Sequence, residues 1–250
     1  MTARSTQTAA TLSGSPTLLA IDDLWAGYGE ASIVRGVSAS IATGEIATII
    51  GPNGAGKSTL LRGIFGELHH HRGTLTFAGE RIEHENWDRR QRRGIGFVPQ
   101  GRCNFPGMVV RENLLMGTHM LPRAKRAAAI EHAIELFPML GRRLKVPAGN
   151  LSGGEQQVLE MAMVLTQSPR LLLLDEPSLG LSPKTMGEVF DAVCHIRSHG
   201  VTVLIVEQNT AGAIAVSDTV WVLELGQLIA SGPAADIAQD PRIRQAYLGG

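Results

Sequence analysis

The sequence contains little of what marks a disulfide-stabilised or nucleic-acid-binding protein. Its only cysteines, Cys103 and Cys194, lie far apart and show no metal-ligand spacing, which favours a reducing compartment over a disulfide framework. Lysine plus arginine equal aspartate plus glutamate at 23 each, so no net field draws the molecule to nucleic acid or anionic lipid. We therefore expect no nucleic-acid partner.

Long apolar runs are also missing from the sequence. The runs at residues 171–174 and 201–206 are far shorter than the ~20 residues that cross a bilayer, so we expect no membrane-spanning helix. Residues 1–17 are rich in Ser, Thr and Ala and lack the apolar core of a secretory signal. We predict a disordered tail there. The folded part is then residues 18–250, and a hydrophobic content of 44% is enough to bury a core.

The hydrophobic pattern predicts an α/β core with a helical insertion. Short apolar or alternating runs predict strands at residues 18–26, 45–50, 73–78, 94–99, 170–175 and 201–206. Continuous apolar strands are typical of a parallel sheet that is buried on both faces. Residues 110–144, by contrast, include an Ala-rich stretch with helical periodicity. We therefore place a helical subdomain at about residues 101–168, inserted in the α/β core.

A glycine-rich segment follows the second predicted strand and opens a helix. Residues 51–59, GPNGAGKST, match the P-loop pattern in the strand, loop and helix context that it requires. Backbone N–H groups of such a loop surround phosphate oxygens, Lys57 reaches the β- and γ-phosphates, and the Ser58 hydroxyl binds Mg²⁺. A glycine-rich turn without a ligand is the alternative, which the flanking strand and helix argue against. The predicted nucleotide contacts are Gly51, Asn53, Gly54, Ala55, Gly56, Lys57, Ser58 and Thr59.

Two carboxylates end another buried strand. Asp175 and Glu176 close the run LLLLDE before Pro177, at the carboxyl end where ligands lie in such sheets. Successive strand residues point to opposite faces, so the two acids can take different roles. We assign Asp175 to the Mg²⁺ shell and Glu176 to orienting or deprotonating an attacking water. A solvent-facing acid pair is the alternative, and the P-loop in the same chain argues against it.

The segment LSGGEQQ, residues 151–157, predicts the start of a helix. Ser152 and Glu155 match a capping box, which is by itself a sufficient structural reason for the pattern. The paired glycines Gly153 and Gly154 also expose backbone donors at the helix start. We therefore predict a second anion-binding segment at Ser152, Gly153 and Gly154.

Taken together, GPNGAGKST, LSGGEQQ and LLLLDEP resemble the ATP-binding cassette family, and the resemblance extends from residue 18 onward. It implies an α/β P-loop core with a mostly parallel sheet, an N-terminal antiparallel β subdomain and an inserted helical subdomain. It also implies ATP hydrolysis with Mg²⁺ in a head-to-tail dimer. Each ATP would lie between the P-loop of one subunit and the LSGG segment of the other.

Four further positions take their expected roles from the resemblance. Tyr28 in WAGYG matches the aromatic residue that stacks on adenine, and Gln100 in GFVPQGR matches a glutamine that touches Mg²⁺ or the attacking water and links the site to the membrane partner. Gln208 stands where most members have a histidine that contacts the γ-phosphate. An amide can still donate a hydrogen bond there, but unlike imidazole it cannot take up a proton and become positively charged. Ser182 replaces a usual aspartate, which weakens the expected contact across the dimer.

The segments EPSLGLSP, VEQN and AYLGG are similar to the smaller ATPase subunit of branched-chain amino-acid importers. This similarity implies a homologous ATPase partner, with a second copy of the chain as the alternative. It further implies two membrane permease subunits, a substrate-binding protein outside the membrane that acts through them, and a peripheral location on the cytoplasmic face. A urea or amide importer, a soluble ATPase of iron–sulfur assembly and a nucleotide switch without turnover are the alternatives.

Overall fold

The computed structural model describes residues 15–248, so most of the predicted tail lies outside the described residues. The strands are β1 (Thr17–Tyr28), β2 (Ala31–Ala42), β3 (Ile46–Ile50), β4 (His69–Phe77), β5 (Glu80–Arg81), β6 (Ile95–Val98), β7 (Leu171–Asp175), β8 (Thr202–Val206), β9 (Thr219–Glu224) and β10 (Gln227–Pro233). The helices are α1 (Lys57–Phe65), α2 (Trp87–Arg92), α3 (Val110–Gly117), α4 (Arg123–Leu136), α5 (Pro138–Gly141), α6 (Gly153–Leu165), α7 (Pro183–Ser198), α8 (Thr210–Val216), α9 (Ala234–Gln239) and α10 (Pro241–Ile243).

A six-stranded sheet forms the centre of the molecule. Its strand order is β10-β9-β3-β8-β7-β6, and every neighbouring pair except β10 with β9 is parallel. Every residue of β3, β7 and β8 is buried, as expected for continuous apolar strands that are covered on both faces. The prediction of a mostly parallel core sheet is therefore confirmed. The order also brings the carboxyl ends of β3, β8, β7 and β6 side by side; we call this the carboxyl edge.

A second sheet lies on one side of this core. It is antiparallel, with the order β2-β1-β4-β5, and it confirms the expected antiparallel β subdomain. Helix α1 packs between the two sheets, because Leu60 and Leu61 share one buried cluster with Leu24 of β1 and Ile49 of β3. The helix that follows the P-loop is thus held by apolar contacts on both sides.

Helices α3 to α6 lie between β6 and β7 in the chain and pack on the opposite side of the core sheet. Leu114 of α3 and Leu159 of α6 belong to the same buried cluster as Leu172 of β7 and Val203 of β8. The inserted helices therefore share an apolar core with the sheet. Within the described residues, none of the helices is both long and apolar enough to cross a bilayer.

Candidate nucleotide site

The P-loop leaves β3 and turns sharply into α1. Gly51, Gly54 and Gly56 all have positive φ angles, of 150°, 79° and 96°, which residues other than glycine rarely adopt. A Cβ on Gly51 would lie 2.0 Å from the carbonyl oxygen of Leu223 in β9. The turn between β9 and β10 supports the loop from the same side, because the Gly226 N–H donates to the Ala55 carbonyl at 2.9 Å. The loop conformation is therefore fixed by packing and not only by its own glycines.

Lys57, the first residue of α1, lies inside the curve of this loop. Its side chain is buried, and Nζ donates to the carbonyls of Gly51 at 2.8 Å and Pro52 at 3.1 Å. Burial lowers the pKa of the Lys57 ammonium, against the opposing charges of Glu176 and Asp175. Asn53 and Gly54 are exposed at the tip of the loop. The arrangement offers a cation and backbone donors to an anionic ligand.

Ser58 and Asp175 join α1 to the end of β7. The Ser58 hydroxyl donates to Asp175 Oδ1 at 2.8 Å, and Asp175 is only 2% exposed. Within residues 15–248 nothing donates to its second oxygen, Oδ2, although that atom is buried. Burial raises the pKa of Asp175, against the opposing effect of the Ser58 hydrogen bond. A buried carboxylate oxygen without a partner, next to a hydroxyl, fits the oxygen ligand set of a divalent cation.

Glu176 is the meeting point of three loops at the carboxyl edge. The side-chain amides of Gln100, after β6, and Gln208, after β8, both donate to Glu176 Oε2 at 2.8 Å. Glu176 itself has a φ of 51°, an uncommon conformation for a residue with a side chain. Its N–H donates to the Val206 carbonyl at 2.8 Å, which ties the turn to β8. The three residues predicted to act in hydrolysis are therefore in direct contact.

Tyr28 and Thr59 complete the predicted residues near the P-loop. Tyr28 ends β1 and is 50% exposed, and its hydroxyl accepts a 3.4 Å hydrogen bond from Arg62 Nη1 on α1. An exposed ring above α1 is free to stack on a planar ligand. Thr59 is buried one residue after Ser58 in the first turn of α1.

The structure does not bring Ser152, Gly153 and Gly154 to this site. They form the start of α6, where Ser152 Oγ accepts from the Glu155 N–H at 3.3 Å and Glu155 Oε2 accepts from the Ser152 N–H at 2.8 Å. Cβ atoms on Gly153 and Gly154 would lie 2.8 Å from Leu181 and 2.4 Å from Thr185, respectively. Within residues 15–248, no hydrogen bond connects the three residues to the P-loop.

Ser182, at the position where the resemblance led us to expect an aspartate, caps α7. Its Oγ accepts from the Thr185 N–H at 3.4 Å and lies 2.8 Å from the Thr185 hydroxyl. Serine is as suitable an N-cap as aspartate. The substitution therefore keeps the helix start and removes a charge.

Two buried acids near the site were not predicted from the sequence. Glu160 in α6 accepts through Oε1 from the N–H of Cys103 and from the N–H and side chain of Asn104. Glu207, at the end of β8, accepts from Ser178 and from the two residues that follow it. Burial raises the pKa of both carboxyls. The available signal was a lone charge within an apolar stretch, in VLEMAMVL and in LIVEQ.

Comparisons with known proteins agree with one another. The family model described as "ABC transporter" matches residues 34–179. A high-affinity branched-chain amino acid transport ATP-binding protein, BraG of Pseudomonas aeruginosa, is 39% identical over 93% of this chain and all of its own length. A probable branched-chain amino acid transport ATP-binding protein, LivF of Archaeoglobus fulgidus, is 36% identical over 90% of this chain and 95% of its own. The crystal structure of the ADP conformation of MJ1267, an ATP-binding cassette of an ABC transporter, superposes on this chain with a TM-score of 0.85 at 27% identity. The match covers 94% of this chain and 100% of that one.

Proposed function

The chain belongs to the ABC transporter family, and from this premise we propose that it hydrolyses ATP to drive an importer of branched-chain or other hydrophobic amino acids. One observation carries the proposal: the amides of Gln100 and Gln208 meet on the carboxylate of Glu176, beside the P-loop. The names of the relatives BraG and LivF support the class of transported substrate.

ATP would bind along the P-loop. Backbone N–H groups of residues 51–59 and the buried Lys57 would hold its phosphates, because a helix start and a cation attract the same anion. The exposed ring of Tyr28 would stack on adenine; such stacking contributes ~1–3 kcal/mol per base in nucleic-acid complexes. Asn53 and Gly54, at the exposed tip, would approach the phosphates from outside.

Ser58 and Asp175 would hold Mg²⁺, with Gln100 as a further oxygen ligand. The partnerless Oδ2 of Asp175 supports this assignment, since a buried carboxylate oxygen is costly unless a cation or a donor satisfies it. The bound Mg²⁺ would supply charge neutralisation at the phosphate oxygens.

Glu176 would orient the attacking water or accept its proton, since it is the carboxylate that the two amides position. Gln208 would donate a hydrogen bond to the γ-phosphate through its amide. Such a donor stabilises charge that develops during phosphoryl transfer and requires no proton transfer of its own. This arrangement replaces the imidazole of the usual family histidine with a neutral donor.

A complete site would need a second chain, because the LSGG segment at α6 does not contact the P-loop of its own subunit. We propose a homologous ATPase subunit as the partner, with a second copy of this chain as the alternative. Two permease subunits would hold the dimer at the cytoplasmic face of the membrane. A substrate-binding protein would act through those permeases.

Substitution of the catalytic carboxylate tests the reaction. Glu176→Gln in the assembled transporter should lower turnover by about 10²-fold or more, while ATP binding persists and a nucleotide-bound dimer is retained on size-exclusion chromatography. Glu131→Gln, an exposed acid on α4, is the matched control and should behave as wild type. Normal hydrolysis by Glu176→Gln would overturn the assignment.

The transported substrate needs a separate experiment. The tagged chain is purified from membranes of its own host, and the co-purifying permeases are reconstituted with it and the binding protein in vesicles. Leucine, isoleucine or valine should stimulate ATP hydrolysis, whereas stimulation by urea alone would favour the urea or amide alternative. Recovery of the chain without any permease would instead favour a soluble ATPase.

A further inference from the structure

Glu207 is a buried acid beside the proposed catalytic residues. It ends β8 and is 1% exposed. Its carboxylate accepts four hydrogen bonds: from the Ser178 N–H at 2.9 Å, the Ser178 hydroxyl at 2.9 Å, the Gln208 N–H at 3.1 Å and the Asn209 N–H at 3.3 Å. All four donors therefore depend on one side chain. Burying a carboxylate is expensive unless it is satisfied in this way.

These four bonds join two loops that both belong to the site. Ser178 lies two residues after Glu176, whereas Gln208 follows Glu207 directly. Glu176 and Gln208 also contact each other through their side chains at 2.8 Å. The residues therefore form a closed ring, from Glu176 through the chain to Ser178, across Glu207 to Gln208, and back to Glu176.

The ring explains how an uncommon backbone conformation is maintained. Glu176 has a positive φ of 51°, and such conformations persist only where the surroundings fix them. The Ser178 bonds to Glu207 hold the far side of this turn, while the bond from the Glu176 N–H to the Val206 carbonyl holds the near side. Without Glu207, both the turn and the direction of the Gln208 side chain lose their common support.

A glutamine could not replace this carboxylate. Its amide has a single acceptor oxygen, and its NH₂ group is itself a donor that would face four other donors. The requirement at this position is thus for an acceptor-only group with two oxygens. That requirement comes from the loops on either side and not from the apolar core.

We propose that Glu207 is a positioning residue, which fixes Glu176 and Gln208 relative to each other and thereby sets the rate of ATP hydrolysis. The proposal rests on the proposed function of Glu176. It does not involve the P-loop, because no hydrogen bond within the described residues connects Glu207 with residues 51–59. Nucleotide affinity and turnover should consequently respond differently to its replacement.

The first test is Glu207→Gln in the assembled transporter, with kcat, KM and ADP affinity measured separately. We expect kcat to fall roughly 10- to 100-fold, as for a small misplacement of catalytic groups, with KM for ATP and ADP affinity within twofold of wild type. Glu83→Gln is the matched control, since Glu83 is a buried acid between β5 and α2, away from the carboxyl edge; its kcat should not change. A normal kcat in Glu207→Gln overturns the proposal.

A double-substitution cycle separates positioning from general damage. If Glu207 positions Glu176 and Gln208 together, then the loss in Glu207→Gln combined with Gln208→Ala should be smaller than the product of the two single losses. Glu83→Gln with Gln208→Ala should show the Gln208→Ala loss alone. Multiplied losses in the Glu207 pair would overturn the proposal.

If Glu207→Gln does not fold, Ser178→Ala decides, because it removes one donor only. A reduced kcat with unchanged ADP affinity supports the proposal, and an unchanged kcat refutes it.

The same experiments distinguish the two proposals. Normal hydrolysis by Glu176→Gln would refute the proposed function itself. Loss of hydrolysis in Glu176→Gln together with normal hydrolysis in Glu207→Gln would refute only the positioning role.

Discussion

The starts of α1 and α6 both combine glycines with a helix N-terminus, yet the structure uses them differently. At α1 the N-cap is Gly56 in a left-handed conformation, with no side-chain cap among the described residues. At α6 the Ser152 and Glu155 side chains form a complete capping box, and both glycines pack against the segment that begins α7. The first helix start has no side-chain cap, whereas the second is capped by its own side chains. Glycine at a helix start therefore indicates an anion-binding site only when the cap and the surrounding packing are considered with it.

The largest expected effect comes from Lys57, which has no counterpart at α6. Lys57→Ala removes the cation from the P-loop and should weaken ATP binding by about 10²-fold or more, as for the loss of a buried charge-assisted contact. Isothermal titration of the purified chain measures this. Lys125→Ala, an exposed lysine on α4, serves as the control. An unaltered affinity in Lys57→Ala would remove the distinction between the two helix starts.

An effect of similar size is expected at Gln208, which belongs to the same proposed site as the start of α1. Gln208→Ala should lower turnover by roughly 10²–10³-fold where the donor is preorganised, with ADP affinity unchanged because ADP lacks the γ-phosphate. Gln208→His should retain activity, since imidazole also donates. Steady-state hydrolysis by the assembled transporter is the measurement, with exposed Gln227→Ala as the control. Full activity in Gln208→Ala would make this residue a spectator.

The α6 side is tested by adding a methyl group. Gly154→Ala would place its Cβ 2.4 Å from Thr185 Cγ2, and such overpacking typically costs ~1–3 kcal/mol. We expect a lower unfolding midpoint and reduced hydrolysis by the assembled dimer, with unchanged ATP binding by the isolated chain. Gly187→Ala is the control, because a Cβ there meets no described heavy atom within 4 Å. Adding Thr185→Ser should restore stability to Gly154→Ala, and failure to do so would place the cause elsewhere.

The smallest effect is expected for the cap itself. Ser152→Ala should lower the free energy of unfolding by about 1 kcal/mol, the usual cost of losing an N-cap, as measured by urea denaturation with an unchanged slope. Ser182→Ala removes the corresponding cap of α7 and should cost about the same. A loss several times larger at Ser152 alone would show that α6 depends on this serine for more than capping.

The sequence was sufficient for four strands of the core sheet and for β1 and β4 of the antiparallel sheet, but not for β2, β5, β9 or β10. Continuous apolar runs located β3, β6, β7 and β8, because a strand buried on both faces has no polar alternation to confuse the pattern. The pattern of β2 includes Arg35, Gly36 and Ser38, and several register shifts interrupt its pairing with β1, so its period is broken. β9 and β10 were also not predicted; β9 takes its place in the sheet by pairing with the distant β3, and β10 by pairing with β9.

The site, like the fold, could be predicted only in part from the sequence. The P-loop and the acid pair could be placed together from the rule that ligands lie at the carboxyl ends of parallel strands. The contact of Gln100 and Gln208 on a single oxygen of Glu176 depends on the sheet order, which local sequence does not specify. The partners of Glu160 and Glu207 lie up to 57 residues away along the chain, so neither acid could be assigned a role beforehand.

Gly226 shows that an intact motif is not the same as an intact site. Its carbonyl accepts from the Arg35 N–H at 2.8 Å, and its own N–H supports the P-loop at Ala55. A Cβ there would lie 1.8 Å from the Ile33 carbonyl oxygen. For the interpretation of sequence variants, a substitution at this position would leave every recognisable motif unchanged while displacing the loop that they describe. A search by motif would count such a variant as an active ATPase, and only an assay would find that it is not.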